Sequence, residues 1–591
     1  MSAHDISPAQ AWQAAMDRQA WSQALELARA WHAQHANEPQ SLLACQAQLM
    51  PLLLLHRTDE FSALLLAARF AHGAHPLFAA AEACLLALLE RDADSHAALA
   101  GLPHEQVLVF ASALFGPAMA LLNPHAWQPE RVRAFIVYEQ QQACVWPARA
   151  RLGRTLELLA EQTDLRWEQA RFISMTFGDS EDVQHRIAER MADAWPAAVT
   201  TPVPRRAAKP SGKLRLAYLV PRFSEHASIV LMGKLPLFQN RQQFDIRAYS
   251  YGTPPNESTS EQVLQGCAPL LHLPKDTQAA ALQIASDDID MLIILPDIEM
   301  DAVAPVIRAC GVPVIVNYLS FICSTGGLAH YSITDAATVA ASTPAREASI
   351  AWPGSAYVYS DHRRELVTRA QQDLPEDALV LAAFNAAYKL SPGLCEVWAR
   401  LLASFPSAVL WLHRTHVEQV VQMHAWFAAR GVEPARVIFA EGAPHAEHLG
   451  RLALADLFLD AWDRGGHTSV LDALSAGVPV VARDSPFGRA RTVQRVAPLL
   501  LRELGAQQFV GRDEMEYEVI AAGLCASASA RADYRALILG HSLHSSLHNS
   551  SSFAPFDLAL QAQRLDASLL AAYERFRQGL DPAPIKIIDI K

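Results

Sequence analysis

A cationic surplus, paired cysteines and a membrane-length apolar run are all missing from this chain. Its 591 residues hold 49 Lys and Arg against 61 Asp and Glu, a formal charge of −12. A nucleic-acid partner needs a basic face, so none is expected. Eight cysteines (Cys45, Cys84, Cys144, Cys267, Cys310, Cys323, Cys395 and Cys525) are scattered, and no two form C-x-x-C. That pattern implies reduced, mostly buried thiols in a cytoplasmic protein. The longest apolar run, LMPLLLLH from Leu49, is too short to cross a bilayer and contains Pro51. Met1 to Gln10 has neither a basic n-region nor an apolar core, so no export signal and no membrane span are expected.

What remains is a composition ordinary for a globular protein, with 51% hydrophobic and 19% charged residues. The length exceeds one core and implies several domains. Residues 1–195 read as an all-α domain. WSQALELARA (Trp21–Ala30) and FSALLLAARF (Phe61–Phe70) are amphipathic and recur near the tetratricopeptide period, though irregularly. A degenerate helical-hairpin array and an unrelated helical bundle both fit. Residues 196–213 form a Pro- and Ala-rich linker that cannot continue a helix.

Beyond it the pattern alternates. LRLAYLVP (214–221), FDIRAYSYG (244–252), DMLIILPD (290–297) and PVIVNYLS (313–320) are strand-like, with helical stretches between. A charged linker lies near 361–376, and the alternation restarts with ALVLAAFN, AVLWLH, RVIFAEG, DLFLDA and VPVVAR. Two doubly wound α/β domains follow, at 214–360 and 377–545. HSLHSSLHNSSS (541–552) reads as a surface loop, and 553–591 as a last helix and tail.

Doubly wound sheets bind ligands at the carboxyl ends of their strands. RGGHTSVLDALSAGVPVVAR (Arg464–Arg483) follows such a strand. Gly465 and Gly466 allow a tight turn. His467, Thr468 and Ser469 then open a helix, whose free N–H groups make an anion site. Asp472 lies one turn deeper on the face of Thr468, where a carboxylate can accept ribose hydroxyls. The plainer reading is a turn followed by an ordinary N-cap. AAFNAAYKLSP (Ala382–Pro392) also leaves a strand and carries Lys389, a cation suited to a diphosphate. In EGAPHAEHLGR (Glu441–Arg451), His448 can stack on a base, Arg451 follows one turn on, and the Ala443 backbone can read the base's polar edge. DDID (287–290) contains an Asp-x-Asp, Asp288-x-Asp290, with the spacing of a metal–diphosphate motif but precedes a strand, and His413 with His416 lacks a third ligand.

These segments, in this order, resemble the nucleocytoplasmic O-linked N-acetylglucosamine transferase family. PRFSEHASIVLMG (Pro221–Gly233) is similar to that family's segment with an active-site histidine, and FICSTGGLAHYSITD (Phe321–Asp335) to its glycine-bearing loop. Bacterial adhesin N-glucosyltransferases share the superfamily. The resemblance covers roughly residues 212–545. It implies a GT-B fold, two Rossmann-like domains behind an all-α, tetratricopeptide-like domain, and an inverting, metal-independent enzyme without a cofactor. The donor would be a UDP-sugar, UDP-GlcNAc or UDP-Glc, and the acceptor a protein: serine or threonine first, asparagine second. Carried over by position, Lys389 binds the diphosphate with His467, Thr468 and Ser469. Asp472 takes the ribose, Asn385, Ala443, His448 and Arg451 the rest of the nucleotide. Gly326 and Gly327 line the sugar side, and His226 faces the reacting sugar. Three positions depart from the family pattern: Ala386 replaces a glutamine, His445 a lysine and Val230 a histidine. A sugar-nucleotide epimerase and a non-catalytic scaffold remain as alternatives.

Overall fold

The computed structural model describes residues 7–35, 41–103, 105–107, 109, 127–163, 165, 168–178, 180–194, 204–205, 207, 212–220, 227–251, 264–295, 300–319, 324–341, 344–484, 492–548 and 553–588. Its contacts divide into two compact units. One comprises Met1–Gln162, Ala386–Ala399 and Leu412–Gly442; the other Thr163–Asn385, Arg400–Trp411 and Ala443–Lys591.

In the first unit, Pro8–Asp17, Trp21–Gln34, Ser41–Leu54, Thr58–His72, Pro76–Leu88 and Asp92–Ala98 are helices, each packed on the next. Every second turn closes the same way. Gln19, His56 and Glu90 take left-handed φ values of 58°, 56° and 61°. Each following N–H reaches back across the helix end: Ala20 to Ala15, Arg57 to Leu52 and Arg91 to Leu86, at 2.8–2.9 Å. This capping geometry satisfies carbonyls that the helix leaves open. It recurs near the tetratricopeptide period of about 34 residues, and so marks hairpins more regularly than the amphipathic segments do.

The array is bolted to the chain segment that follows Leu412. The buried Glu418 carboxylate accepts from the Ser22 amide at 2.8 Å and the Ser22 hydroxyl at 2.6 Å. Trp21 packs edge-on against His416, with ring centroids 4.7 Å apart. His416 in turn accepts from the Glu418 amide and starts the helix Val417–Ala428, so this histidine of the two-histidine motif is structural.

The second unit holds a parallel sheet built from β1 (Leu214–Val220), β2 (Phe244–Ser250), β3 (Leu270–His272), β4 (Met291–Ile294), β5 (Val314–Asn317), β6 (Tyr331–Asp335), β7 (Ala348–Trp352) and β14 (Ile585–Lys586). Among the described residues the order is β14-β7-β6-β5-β4-β1-β2-β3. Strands β1, β4 and β5 are buried almost throughout, as apolar runs in a two-sided parallel sheet must be. A second sheet is formed by β8 (Leu379–Ala383), β9 (Ala408–His413), β10 (Val437–Ala440), β11 (Leu457–Leu459), β12 (Val480–Arg483) and β13 (Val510–Gly511), ordered β10-β9-β8-β11-β12-β13.

Several sequence expectations change here. The helices Glu168–Phe177 and Glu181–Ala194, read from sequence with the all-α part, belong to the second unit. Arg346 bonds Asp193 at 2.7 Å, and Gly326 lies against the Ala188 carbonyl. The stretch read as a Ser/His loop continues the helix Ala528–His548, with 549–552 outside the described residues. Serine and histidine are weak helix formers, but they extend a helix already nucleated by ARADYRALILG. The tail is not separate: β14 pairs with β7 and closes the first sheet's edge. Asp287, Asp288 and Asp290 hold Tyr249, Arg215 and the Arg215 amide, so DDID fastens strands together. All seven described cysteines are free and buried.

Two variants test this framework. Glu418→Ala is expected to lose about 1.5–3 kcal/mol of stability, the worth of hydrogen bonds to a charged group, read as a lower urea midpoint. Gly326 has φ 69°, and a Cβ there would sit 2.2 Å from the Ala188 carbonyl oxygen. Gly326→Ala should therefore cost at least the roughly 1–2 kcal/mol of a left-handed non-glycine residue, seen as a drop in Tm.

Candidate functional site

In the second sheet the strand order reverses between β8 and β11, which makes the crevice beyond their carboxyl ends the switch point. Asn385 follows β8 and Asp460 follows β11. Asn385 Nδ2 donates to Asp460 Oδ1 at 3.4 Å, and the Gly466 amide donates to the same oxygen at 2.7 Å. Ser469 Oγ reaches Asn385 Oδ1 at 3.5 Å. The Gly465–Gly466 turn is thus tied to both strand ends. A Cβ on Gly466 would lie 2.5 Å from Ser469 Oγ and 2.7 Å from Asp460.

That turn delivers the helix Thr468–Ser475, with His467 as its N-cap residue. The predicted helix start is therefore in place, and its first amides have no intrahelical partner. The His467 ring is held on both sides: Nδ1 lies 2.8 Å from the Tyr357 hydroxyl and Nε2 3.3 Å from the Val493 carbonyl. A carbonyl can only accept, so Nε2 carries the proton and Nδ1 accepts from Tyr357.

Asp472 is 5% exposed, one turn into this helix. Its Oδ1 accepts from the Tyr359 hydroxyl at 2.6 Å and lies 3.1 Å from His445 Nε2; its Oδ2 lies 3.6 Å from His448 Nε2. Burial pushes the carboxyl up, but hydrogen bonds from His445 and His448 outweigh it and hold the group below its usual range. Burial and the neighbouring Asp472 push the Tyr359 hydroxyl well above its ordinary value, so Tyr359 stays a donor.

The helix His445–Leu452 supplies the next wall. His448 faces the Phe384 ring at 5.6 Å, and Arg451 lies over the same ring at 5.3 Å. Arg451, 2% exposed, donates to His448 Nδ1 at 3.2 Å. Phe384, His448 and Arg451 form a partly cationic aromatic cluster beside Asp472, with the two rings inclined by 41°, suited to contact with a heteroaromatic ring. Ala443 lies in the loop before this helix.

On the first sheet's side, the buried Glu347 carboxylate accepts from Ser324 Oγ at 2.8 Å, from the Thr325 amide and hydroxyl, and from the Gly327 amide at 3.3 Å. Gly326 and Gly327 are left-handed, at 69° and 90°. One acid thus fixes the glycine loop. Beside it lies a cavity of about 460 Å³ whose lining includes Asn317, Ser332, Asp335, Thr338, Tyr357 and Thr492. Tyr357 joins this cavity to His467.

The structure therefore gathers Asn385, His448, Arg451, His467, Ser469 and Asp472 around one switch point. Lys389 belongs to the other unit, at the end of the turn Ala387–Lys389, where the Ala387 amide donates to Thr415 Oγ1 at 3.1 Å. His226, in the stretch that follows β1, lies outside the described residues. Sequence reasoning missed Tyr357, Tyr359, Asp361 and Asp460. Asp460 was within reach, since it ends the strand whose carboxyl end had been singled out. No metal-ligand cluster occurs among the described residues.

Comparison with known proteins bears on these same segments. Residues 173–367 and 360–556 match the model of glycosyl transferase family 41. A curated Arabidopsis thaliana protein, described as a probable UDP-N-acetylglucosamine–peptide N-acetylglucosaminyltransferase, is 28% identical over 281 residues, 46% of this chain and 29% of its own length. A Caenorhabditis elegans UDP-N-acetylglucosamine–peptide N-acetylglucosaminyltransferase is 31% identical over 215 residues, 36% of this chain and 18% of its own. The chain thus spans less than a third of the length of these curated relatives. A solved mutant of the Thermobaculum terrenum O-GlcNAc transferase aligns over 90% of this chain and 99% of that one, with TM-score 0.64 and 19% identity, a likeness of fold. The matched stretches contain every loop of the switch-point cluster and both sheets except the edge strand β14, and the chain belongs to glycosyl transferase family 41.

Proposed function

We propose that this protein is an inverting glycosyltransferase that moves a hexose or N-acetylhexosamine from a UDP-sugar to a protein side chain. The observation that carries this reading is the switch-point cluster: a helix N-terminus, a buried carboxylate and an aromatic–cationic group side by side. A nucleoside diphosphate presents a base, two ribose hydroxyls and a dianionic bridge, and the cluster offers a counterpart to each. Phe384, His448 and Arg451 take the base, with the Ala443 backbone at its edge. Asp472 takes the ribose. Thr468, Ser469 and the helix N-terminus take the diphosphate, with Lys389 as a further cation. His467 sits at this terminus with its ring braced, so it contributes through a fixed orientation.

The polar lining of the neighbouring cavity, where the Ser332 and Tyr357 hydroxyls sit with Asp335 and Arg346, suits the transferred sugar. Departure of UDP builds negative charge on the leaving oxygen. Fixed N–H donors and Lys389 stabilise that charge where it develops, and this chemistry needs no resident metal. His226 is the candidate for taking or relaying the acceptor's proton. A serine or threonine hydroxyl is the acceptor favoured here, because the GGHTS and SEHAS segments resemble the O-transferases more than the N-transferases; the curated relatives' names specify a peptide acceptor. The helical array is the part proposed to recognise the acceptor protein.

The test is direct. Full-length protein is incubated with a panel of UDP-sugars and a protein lysate, and peptides are searched by mass spectrometry for added hexose or N-acetylhexosamine. Transfer to serine or threonine is expected; modification confined to asparagine would reassign the acceptor, and no modified peptide with any donor would refute the reading. For the site itself, Asp472→Asn should weaken UDP binding by on the order of tenfold or more, matching about 1.5–3 kcal/mol for a charge-assisted hydrogen bond. Calorimetry measures it, and an unchanged Kd would displace the ribose from Asp472.

A further inference from the structure

We propose that His445 is a positioning residue of the nucleotide site: as an imidazolium bridging Asp361 and Asp472 it keeps Asp472 ionised and aimed, so UDP affinity follows the charge on this ring. The inference rests on the UDP-sugar reading of the site and adds to it a residue which that reading leaves without a role.

The geometry favours the charge. His445 Nε2 lies 3.1 Å from Asp472 Oδ1, and Nδ1 lies 3.5 Å from Asp361 Oδ2, the latter within ion-pair reach but outside hydrogen-bond geometry. A neutral imidazole has one N–H, so one of its nitrogens would turn a lone pair toward a carboxylate. Only the doubly protonated ring suits both neighbours. All three side chains are largely enclosed, with 10% exposure for His445, 15% for Asp361 and 8% for Asp472. An uncompensated carboxylate there would be costly or would take up a proton.

The groups around the ring come from three directions. The segment after β7 contributes Asp361, the Tyr359 hydroxyl at 3.3 Å from Nε2, and His362, which packs on Tyr359. Arg363 pairs with Asp361, and Lys234 bears on His362. The ring's own helix contributes His448, stacked at 6.3 Å. The helix Thr468–Ser475 contributes Asp472. His362 is pushed down to about 4 by burial and by Lys234, so it stays neutral at pH 7 and adds no competing cation. Burial opposes charge on His445, but the Asp361 and Asp472 carboxylates beside it prevail and raise it to about 9. With the folded value raised, the bridge is complete below the ordinary histidine value of about 6.5 and fades as pH rises through about 9.

The experiment is UDP calorimetry on full-length wild type, His445→Gln and His445→Lys between pH 7 and 10, with circular dichroism melts to confirm folding. Wild type is expected to bind at pH 7 and to weaken by about tenfold across the window in which the imidazolium is lost. His445→Lys should hold its affinity to higher pH, since lysine ordinarily titrates near about 10.4. His445→Gln should bind about tenfold more weakly at pH 7 and show no step of its own. Loss of the uracil N3 proton at high pH is common to all three proteins, so the ratios between them carry the result. Wild type that binds UDP while its curve coincides with that of His445→Lys overturns the role of His445 alone, as does a folded His445→Gln that binds like wild type. Wild type that binds no UDP at any pH overturns the nucleotide reading of the whole site, and this role with it.

Discussion

A carboxylate with almost no access to water must be answered from inside the protein, and Asp472 is answered by residues of two separate chain stretches. Tyr359 reaches it from the segment that leaves β7, while His445 and His448 reach it from a helix of the second sheet. The same segment places Tyr357 on His467 and the Ser355 amide on Glu503. Residues 355–361 therefore act as a strap: the Ser355 amide, Tyr357 and Tyr359 end on the second Rossmann-like part, while Ser360 bonds the Val230 carbonyl and the Ala356 carbonyl accepts from Tyr318 in the first. Burying these charges singly would be unfavourable. Burying them together ties the two α/β parts of this unit to each other and orients the candidate ribose acid in one step.

How much of this was legible in the sequence depends on the range of the interaction. Asn385, His467, Ser469 and Asp472 could be placed because each lies just past an apolar run that ends in small residues. A strand's carboxyl end is a local property. Tyr359 and Asp361 could not be placed, since their meaning comes from partners on distant segments, and periodicity carries no information about which strand end faces which loop. The short elements failed for a related reason. β13 and β14 are two-residue pairings that exist only because β12 and β7 offer them an edge.

The helical array reverses that pattern. Its repeat is blurred in the amphipathic segments, where the apolar faces vary to suit each neighbour, yet Gln19, His56 and Glu90 adopt one backbone conformation with one hydrogen-bond pattern. None is glycine or asparagine, the residues on which a sequence reader relies for a left-handed helix end. The carbonyls at each helix end demand partners, and the close packing of the next helix holds the turn despite the modest strain of a side chain at positive φ. Geometry is kept here while the residue signature is lost, which is why the array could be suspected from sequence but not separated from an ordinary bundle.

The same distinction explains why Gly466 is informative and Lys389 is less so. Gly466 has φ outside the left-handed region, so its lack of a side chain serves contact: Asp460 and Ser469 occupy the space a Cβ would need. Without that space Asp460 could not take the Gly466 amide, and the helix from Thr468 would not be pinned to the ends of β8 and β11. The helix N-terminus acquires a fixed direction only through this brace, and an anion site needs fixed direction more than it needs formal charge, because amide dipoles act at short range. A lysine on a long flexible stem adds charge from many starting points. The braced turn admits one, and it is the part of the site that the fold itself determines.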